Sequence, residues 1–137
     1  MKYIVLLGRI LYSAMFLKSA PGHFTGQMLG YASAHGVPAA SILVPFAGVL
    51  LLLGGLSILL GFKAKWGAWL IVLFLIPVTF TMHSFWKETD PMQMQMQMAH
   101  FMKNLSMLGA ALLIVYFGSG PLSLDARTNT APKYSTV

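Results

Sequence analysis

Residues able to bind a small molecule are concentrated between positions 80 and 104. His100, Lys103 and Asn104 recur at helical spacing, so they form one polar stripe at the start of an apolar run. His83 lies at the end of the preceding apolar run. A lysine ammonium in a polar and aromatic pocket can hold a quinone oxygen or an anionic headgroup. The candidate ligand-binding residues are Arg9, Phe80, His83, Trp86, His100, Lys103 and Asn104.

A second kind of chemistry is indicated by four methionines that alternate with glutamine in the same segment. Thioether sulfur is a soft ligand that suits Cu(I), and two nearby histidines can add imidazole donors. The candidate metal ligands are therefore Met92, Met94, Met96, Met98, His83 and His100. The alternative is an outer loop whose methionines rest on the membrane or on a partner as adaptable apolar contacts. The chain has no cysteine, which excludes disulfides and Cys-based metal sites.

The elements that position these residues are transmembrane helices. Hydrophobic residues make up 57% of the chain, charged residues only 9%, and the mean hydropathy is +0.72. Runs of about 20 apolar residues cross a bilayer, and only helices satisfy the backbone of such runs in lipid. We therefore predict an all-α integral membrane four-helix bundle, surrounded by lipid. Its predicted spans are residues 3–20, 42–62, 66–86 and 101–117.

The basic residues are scattered at the predicted helix ends and form no stripe, so nucleic acid is not an expected partner. They favour one orientation in the membrane. The side that holds both termini would carry Lys2, Lys63, Lys65, Arg127 and Lys133. The positive-inside rule then places both termini in the cytoplasm and the methionine segment outside. Residues 1–125 are expected to form a single transmembrane domain, and residues 126–137 a polar tail.

Several further residues are candidates for structural roles. Gly54 and Gly55 allow close helix packing in the second span. Arg9 lies two turns into the first span. It either extends to the lipid headgroups or forms an interhelical hydrogen bond, or it takes part in ligand binding or proton handling. Asp125 can pair with Arg9 or with a neighbouring arginine, while Ser123 and Asp125 can equally cap the turn after the last span.

With these landmarks placed, the chain resembles the DoxX family of small four-helix bacterial membrane proteins over nearly its entire length. The resemblance rests on separate blocks in the same order: GRILYSAMFLKSAPGHF, HGVP, AGVLLLLGGLSILLGF, HSFW, HFMKNLSMLGAALL and GSGPLSLDA. Two positions depart from the family pattern, since His23 stands where relatives usually have Lys and Leu51 where they often have Glu. A proton-transfer or Arg9-pairing role of that glutamate cannot be carried over to this chain.

The resemblance implies a multi-pass protein of the bacterial inner membrane, associated with redox complexes or oxidative stress. We expect an accessory or structural subunit of a membrane redox or stress-response assembly, with other membrane subunits as partners and no intrinsic enzymatic activity. Two alternatives stay open. One is a redox component that binds quinone or another small molecule, and the other is a copper-handling protein that uses the methionine-rich outer loop.

Overall fold

A computed structural model describes residues 1–128 of the chain. The described part contains helices and connecting turns but no strand. The α-helices are α1 (Lys2–Ser19), α2 (Gly26–Ala34), α3 (Ala40–Leu60), α4 (Ala64–Met82), α5 (Pro91–Phe117) and α6 (Leu124–Thr128). Short 3-10 helices follow α1 at Ala20–Phe24 and α4 at Phe85–Lys87. Most of the predicted polar tail, including Lys133, lies outside the described residues.

Four helical segments of the described chain are long and apolar enough to cross a membrane. They are Lys2–Phe24, Ala40–Leu60, Ala64–Lys87 and Pro91–Phe117. Their outer faces expose large apolar side chains to the surroundings. This is the pattern of a bundle solvated by lipid, and it confirms the predicted membrane four-helix fold.

The central helices of the bundle are α3 and α4, with α1 packed on α3 and α5 packed on α4. The glycine pair in α3 lies at two of these contacts. A Cβ on Gly54 would collide with Ile71 of α4, and one on Gly55 would collide with Leu17 of α1. Leu51, which replaces the glutamate frequent in relatives, is fully buried in the apolar core. Leu51 therefore contributes apolar packing to the core, and no titratable group is present at this position.

The methionine-rich segment is helical, and the prediction of an outer loop there was wrong. Helix α5 begins at Pro91, about ten residues before the predicted span. Asp90 is its N-cap and accepts a 2.9 Å hydrogen bond from the backbone N–H of Gln93. Because proline at the first helical position loses no intrahelical hydrogen bond, the Asp90–Pro91 pair starts the helix efficiently.

The two ends of the bundle differ in what closes them. One end carries α2 and the first turns of α5, and we call it the α2 end. The other, called the α6 end, carries the turn between α3 and α4 and the segment 118–128. The first turns of α1 lie at the α6 end, where Val5 is beside Gly120. Which side of the membrane each end faces stays a prediction.

The α6 end is closed by Asp125. Its Oδ1 accepts a 2.8 Å hydrogen bond from the backbone N–H of Lys63, and its Oδ2 accepts bonds from Ala64 N–H and the Ser119 hydroxyl. Asp125 thus caps the start of α4, where the backbone donors have no partner within the helix. Burial raises the pKa of this carboxyl, but the three hydrogen bonds and the Arg9 guanidinium more than offset that effect and lower it.

Arg9 is 5% exposed and lies under the same segment. Its Nη2 donates a hydrogen bond to the carbonyl of Leu122. The Nε and Nη1 groups have no hydrogen-bond partner among the described residues. The hydrogen bond to Leu122 joins α1 to the segment between α5 and α6, so the geometry agrees with a structural role for Arg9. Ser123 is also buried, and its hydroxyl bridges Gly120 O and the backbone N–H of Ala126.

Candidate functional site

A cavity of about 180 Å³ opens at the α2 end between α1, α2, α4 and α5. We call it the polar cavity, because six of its lining side chains carry hydrogen-bonding groups. These are Ser19, His23, Tyr31, His83, Lys103 and Asn104. No aspartate or glutamate lines it. The cavity therefore favours a neutral or anionic ligand with oxygen acceptors and disfavours a metal cation.

The two cavity histidines are each held by one ring nitrogen. His83 Nδ1 lies 2.8 Å from Gln97 Oε1, and His23 Nδ1 lies 3.1 Å from the backbone carbonyl of Ser19. Since a carbonyl oxygen can only accept, the tautomer that carries its proton on Nδ1 completes both contacts. Each Nε2 then remains as an acceptor in the neutral ring. His83 is further fixed by stacking on His100, with ring centroids 5.2 Å apart.

Asn104 is the most informative residue of the polar cavity. It comes from α5, is only 4% exposed, and its side chain makes no hydrogen bond to a residue of the described part. Its amide atoms are not among the fully buried, unpaired polar atoms of the described residues, so they are accessible from the cavity. Buried polar groups of folded proteins are almost always satisfied by protein, water or a ligand. Asn104 is therefore positioned to bind whatever occupies the cavity.

Lys103 lines the polar cavity beside Asn104 and has no acidic partner in the described chain. Its backbone lies one residue from Asn104 on α5, so the two side chains approach the cavity from neighbouring positions on the helix. Together they supply a cationic donor and an amide donor. A carbonyl oxygen or an anionic oxygen is the group that this pair can bind.

A second cavity, the apolar groove, adjoins the polar cavity. It has a volume of about 380 Å³ and lies between α2, α3 and α4. Its outer wall includes Leu43, Phe46 and Leu73, whose side chains are exposed on the lipid-facing surface. Five residues line both cavities, namely His23, Met28, Phe74, Val78 and Met82. The site is thus a polar compartment that continues into an apolar one open to lipid.

The structure brings together only part of the predicted pocket. His83, Lys103 and Asn104 line the polar cavity, and His100 supports His83 from behind. Phe80 and Trp86 instead pack against Phe101 on the exposed side of α4 and α5, with ring centroids 5.5 and 5.9 Å from it. These two side chains line neither the polar cavity nor the apolar groove.

Arg9 lies outside the polar cavity as well. Helical rise separates Arg9 from Ser19 by about 15 Å along α1, so the arginine lies toward the α6 end. Its hydrogen-bond partner there is the carbonyl of Leu122.

Sequence reasoning missed most residues of the site, among them Ser19, His23, Met28 and Tyr31. They belong to the end of α1 and to the connection before α3. One signal was available. His23 replaces a lysine of the family pattern, and the structure buries it where the two cavities join.

The methionine tract does not form a four-sulfur ligand set. Alternating residues of a helix are separated by about 200° around its axis, so Met92 and Met96 share one face and Met94 and Met98 another. All four side chains are exposed. Among residues 1–128, no group of three or more His, Cys, Asp or Glu residues is arranged to hold a metal ion. The geometry therefore gives no support to the copper site proposed from sequence.

Comparison with known proteins agrees with this architecture. The DoxX family profile matches residues 4–84, which contain α1 to α4. The chain belongs to the DoxX family. It is also similar to the inner membrane protein YqjF of Escherichia coli K12, with 34% identity over 127 residues, covering 91% of this chain and 92% of that protein. No solved structure matches the chain.

These similarities and the four apolar spans identify a multi-pass inner membrane protein, as predicted from the sequence. The DoxX match includes His23 and His83 but ends before α5. Lys103 and Asn104, which complete the polar cavity, are therefore supplied by a helix outside the matched region.

Proposed function

We propose that this DoxX protein is a quinone-binding accessory subunit of an inner-membrane redox assembly. The observation that carries the proposal is the junction of a polar cavity with an apolar groove that opens to lipid. A membrane quinone has a ring with two carbonyl oxygens and a long apolar tail. The two compartments match these two parts in chemistry and in order.

The polar cavity fits the ring. Lys103 and Asn104 can donate hydrogen bonds to a carbonyl oxygen, and the Asn104 amide gains the partner that the protein does not supply. Phe16 and Phe74 provide apolar surface beside these donors. With about 180 Å³, the cavity accommodates a single small headgroup, since drug-sized ligands occupy about 300 Å³ or more.

The apolar groove fits the tail. A quinone tail already lies in an apolar solvent before it binds, so moving it into the groove gains little hydrophobic free energy. Most of the affinity must then come from the hydrogen bonds of the ring. This predicts that changes at Lys103 or Asn104 affect binding more than changes at groove residues such as Leu43.

The proposed role is that of a subunit. A quinone, when bound, supplies the capacity to accept and release electrons and protons, and the protein contributes binding and orientation. The Nε2 atoms of His83 and His23 can accept a proton from a ligand hydroxyl. A partner protein must provide the electrons, which is why we propose an assembly.

The basic residues also support a proposal about the orientation of the protein in the membrane. We propose that the α6 end, with Lys63, Lys65 and Arg127, faces the cytoplasm. The polar cavity then lies near the outer surface of the inner membrane. Residues 1–125 act as one transmembrane domain in this proposal.

Quinone content tests the proposal. The protein is purified in a mild detergent, extracted with organic solvent, and the quinone per chain is measured by chromatography. We expect near-stoichiometric quinone in the unaltered protein, and a roughly ten-fold loss for Asn104→Leu and for Lys103→Gln. Lys87→Gln is the matched control, because Lys87 is an exposed lysine at the same end that lines neither cavity. Quinone that is missing from the unaltered protein, or equal in all variants, contradicts the proposal.

A further inference from the structure

A separate cavity at the α6 end carries an inference that does not depend on the quinone site. It has a volume of about 420 Å³ and lies between the start of α4 and the segment after α5. Lys63, Lys65 and Trp66 form one wall, and the Gly118–Gly120 backbone forms the other. We propose that this lysine cavity binds the phosphate group of an anionic phospholipid.

The charge of the lysine cavity is positive. Neither Lys63 nor Lys65 is paired with a carboxylate in the part of the chain that the structure describes. Asp125 is the only acidic residue that lines the cavity. Both of its oxygens accept hydrogen bonds from protein donors, and the Arg9 guanidinium offsets its charge. The two lysines are thus left to attract an anion.

The surrounding residues orient the two ammonium groups. The Lys65 stem lies across Gly118, where a Cβ would be 3.3 Å from its Cε, so a larger residue would displace it. Lys63 has a left-handed backbone with φ 50°, held by the hydrogen bond from its N–H to Asp125. Its Nζ lies 5.7 Å from the Phe62 ring, an exposed contact that a phosphate can replace.

The location of the cavity favours a lipid over free phosphate. Trp66 is 72% exposed at the cavity wall, and Phe117, which also lines the cavity, is exposed as well. Aromatic side chains at helix ends concentrate at the level of the lipid headgroups. Acyl chains can therefore lie against Trp66 and Phe117 while the phosphate reaches the lysines. Basic pockets between helices at this level bind anionic headgroups.

Trp66 also provides the test. In the background Trp69→Phe with Trp86→Phe it is the remaining tryptophan, and its fluorescence reports on lipids beside the cavity. The protein is placed in phosphatidylcholine bilayers that contain a minor fraction of brominated phosphatidylglycerol or brominated phosphatidylcholine. We expect stronger quenching by brominated phosphatidylglycerol, with a preference of roughly five-fold for each lysine.

Two double variants, each of which removes two positive charges, show whether the lysine cavity causes the lipid preference. Lys63→Gln with Lys65→Gln should abolish the preference, and Lys65→Gln alone should reduce it. Lys18→Gln with Lys87→Gln, two exposed lysines outside this cavity, should leave it unchanged. Circular dichroism checks that each variant stays helical. Equal quenching by the two lipids overturns the proposal, and so does relief of the quenching by inorganic phosphate, which would assign the cavity to free phosphate.

Discussion

The two ends of the bundle differ in whether their polar side chains contact other protein groups or a cavity. At the α6 end, Asp125 is engaged by three protein donors and the Arg9 Nη2 by a carbonyl. At the α2 end, the Asn104 side chain is 4% exposed, makes no hydrogen bond to a described residue, and faces a cavity. Arg9 also keeps two unpaired nitrogens, yet it lines none of the three cavities described above.

This contrast separates two uses of polar residues in a membrane protein. Polar groups that satisfy one another hold the chain together, and removing one leaves the others unpaired in a medium of low dielectric constant. A polar group that is unsatisfied beside a cavity is available to a ligand, and removing it should spare the fold. Substitutions at the α6 end should therefore lower stability, and substitutions at the polar cavity should lower binding.

The largest expected effect is that of Asp125→Ala. It removes the cap of α4, leaves the N–H groups of Lys63 and Ala64 without their acceptor, and isolates the charge of Arg9. Losing an N-cap costs about 0.5–2 kcal/mol and losing a hydrogen bond to a charged group about 1.5–3 kcal/mol, so a loss of about 3 kcal/mol is expected. The free energy of unfolding, measured by titration with SDS in mixed micelles, should fall by that amount. Glu88→Ala, which removes an acidic residue outside the α6 end, is the control and should change the free energy of unfolding little. Equal losses in the two variants would contradict the stabilising role of Asp125.

Gly61→Ala should have the next largest effect. Gly61 has φ +63°, and an added Cβ would collide with Arg9 and Ser123. Left-handed backbone and steric conflict together predict a loss of about 2–3 kcal/mol. Gly30→Ala is the matched control, because a Cβ there meets nothing within 4 Å and lies in a helix. In the same SDS titration, the free energy of unfolding of the control should be unchanged or slightly higher. An unchanged free energy of unfolding for Gly61→Ala would contradict the tight packing at the α6 end.

The pH dependence of stability sharpens the same point. The pKa of Asp125 is lowered in the folded state from an ordinary value of 3.8. Its stabilising contribution is therefore fully present above about pH 4 and is lost as the pH falls through the lowered pKa. The difference in unfolding temperature between the unaltered protein and Asp125→Asn should be constant from pH 7 to about pH 5 and shrink below about pH 4. A difference in unfolding temperature that increases as the pH falls would contradict the capping role of Asp125.

The smallest effect is expected for His100→Leu. His100 only stacks on His83, whose hydrogen bond to Gln97 is preserved. Losing one aromatic contact should lower the quinone affinity about three-fold, with little change in stability. Titration of the purified protein with a water-soluble quinone analogue measures this effect. A loss as large as that of Asn104→Leu would mean that His100 touches the ligand directly.

The architecture could be predicted from the sequence because lipid imposes a simple rule. Long apolar runs must be helices, so the four spans follow from composition and length. Helical spacing also predicted that Lys103 and Asn104 act from one helix and meet His83. These inferences needed only the period of the helix and the tendency of polar groups to turn inward.

The rest of the site could not be read from the sequence, since it depends on rotation and depth of neighbouring helices. Phe80 and Trp86 share the helical spacing of His83, but they pack outward on Phe101. His23 was hidden because α2 and the preceding 3-10 helix looked like a loop rich in small residues. The helical start at Pro91 was marked by Asp90, yet the alternation of methionine and glutamine suggested a loop.

The central claim, that a quinone ring binds in the polar cavity, is tested most directly by photo-crosslinking. The purified protein is irradiated with a photoreactive quinone analogue, digested, and the labelled peptides are identified by mass spectrometry. The account predicts label on the end of α4 near His83 and on α5 near Asn104, and its loss in the Asn104→Leu variant. Label confined to the α6 end, or label that is unchanged in that variant, would contradict it.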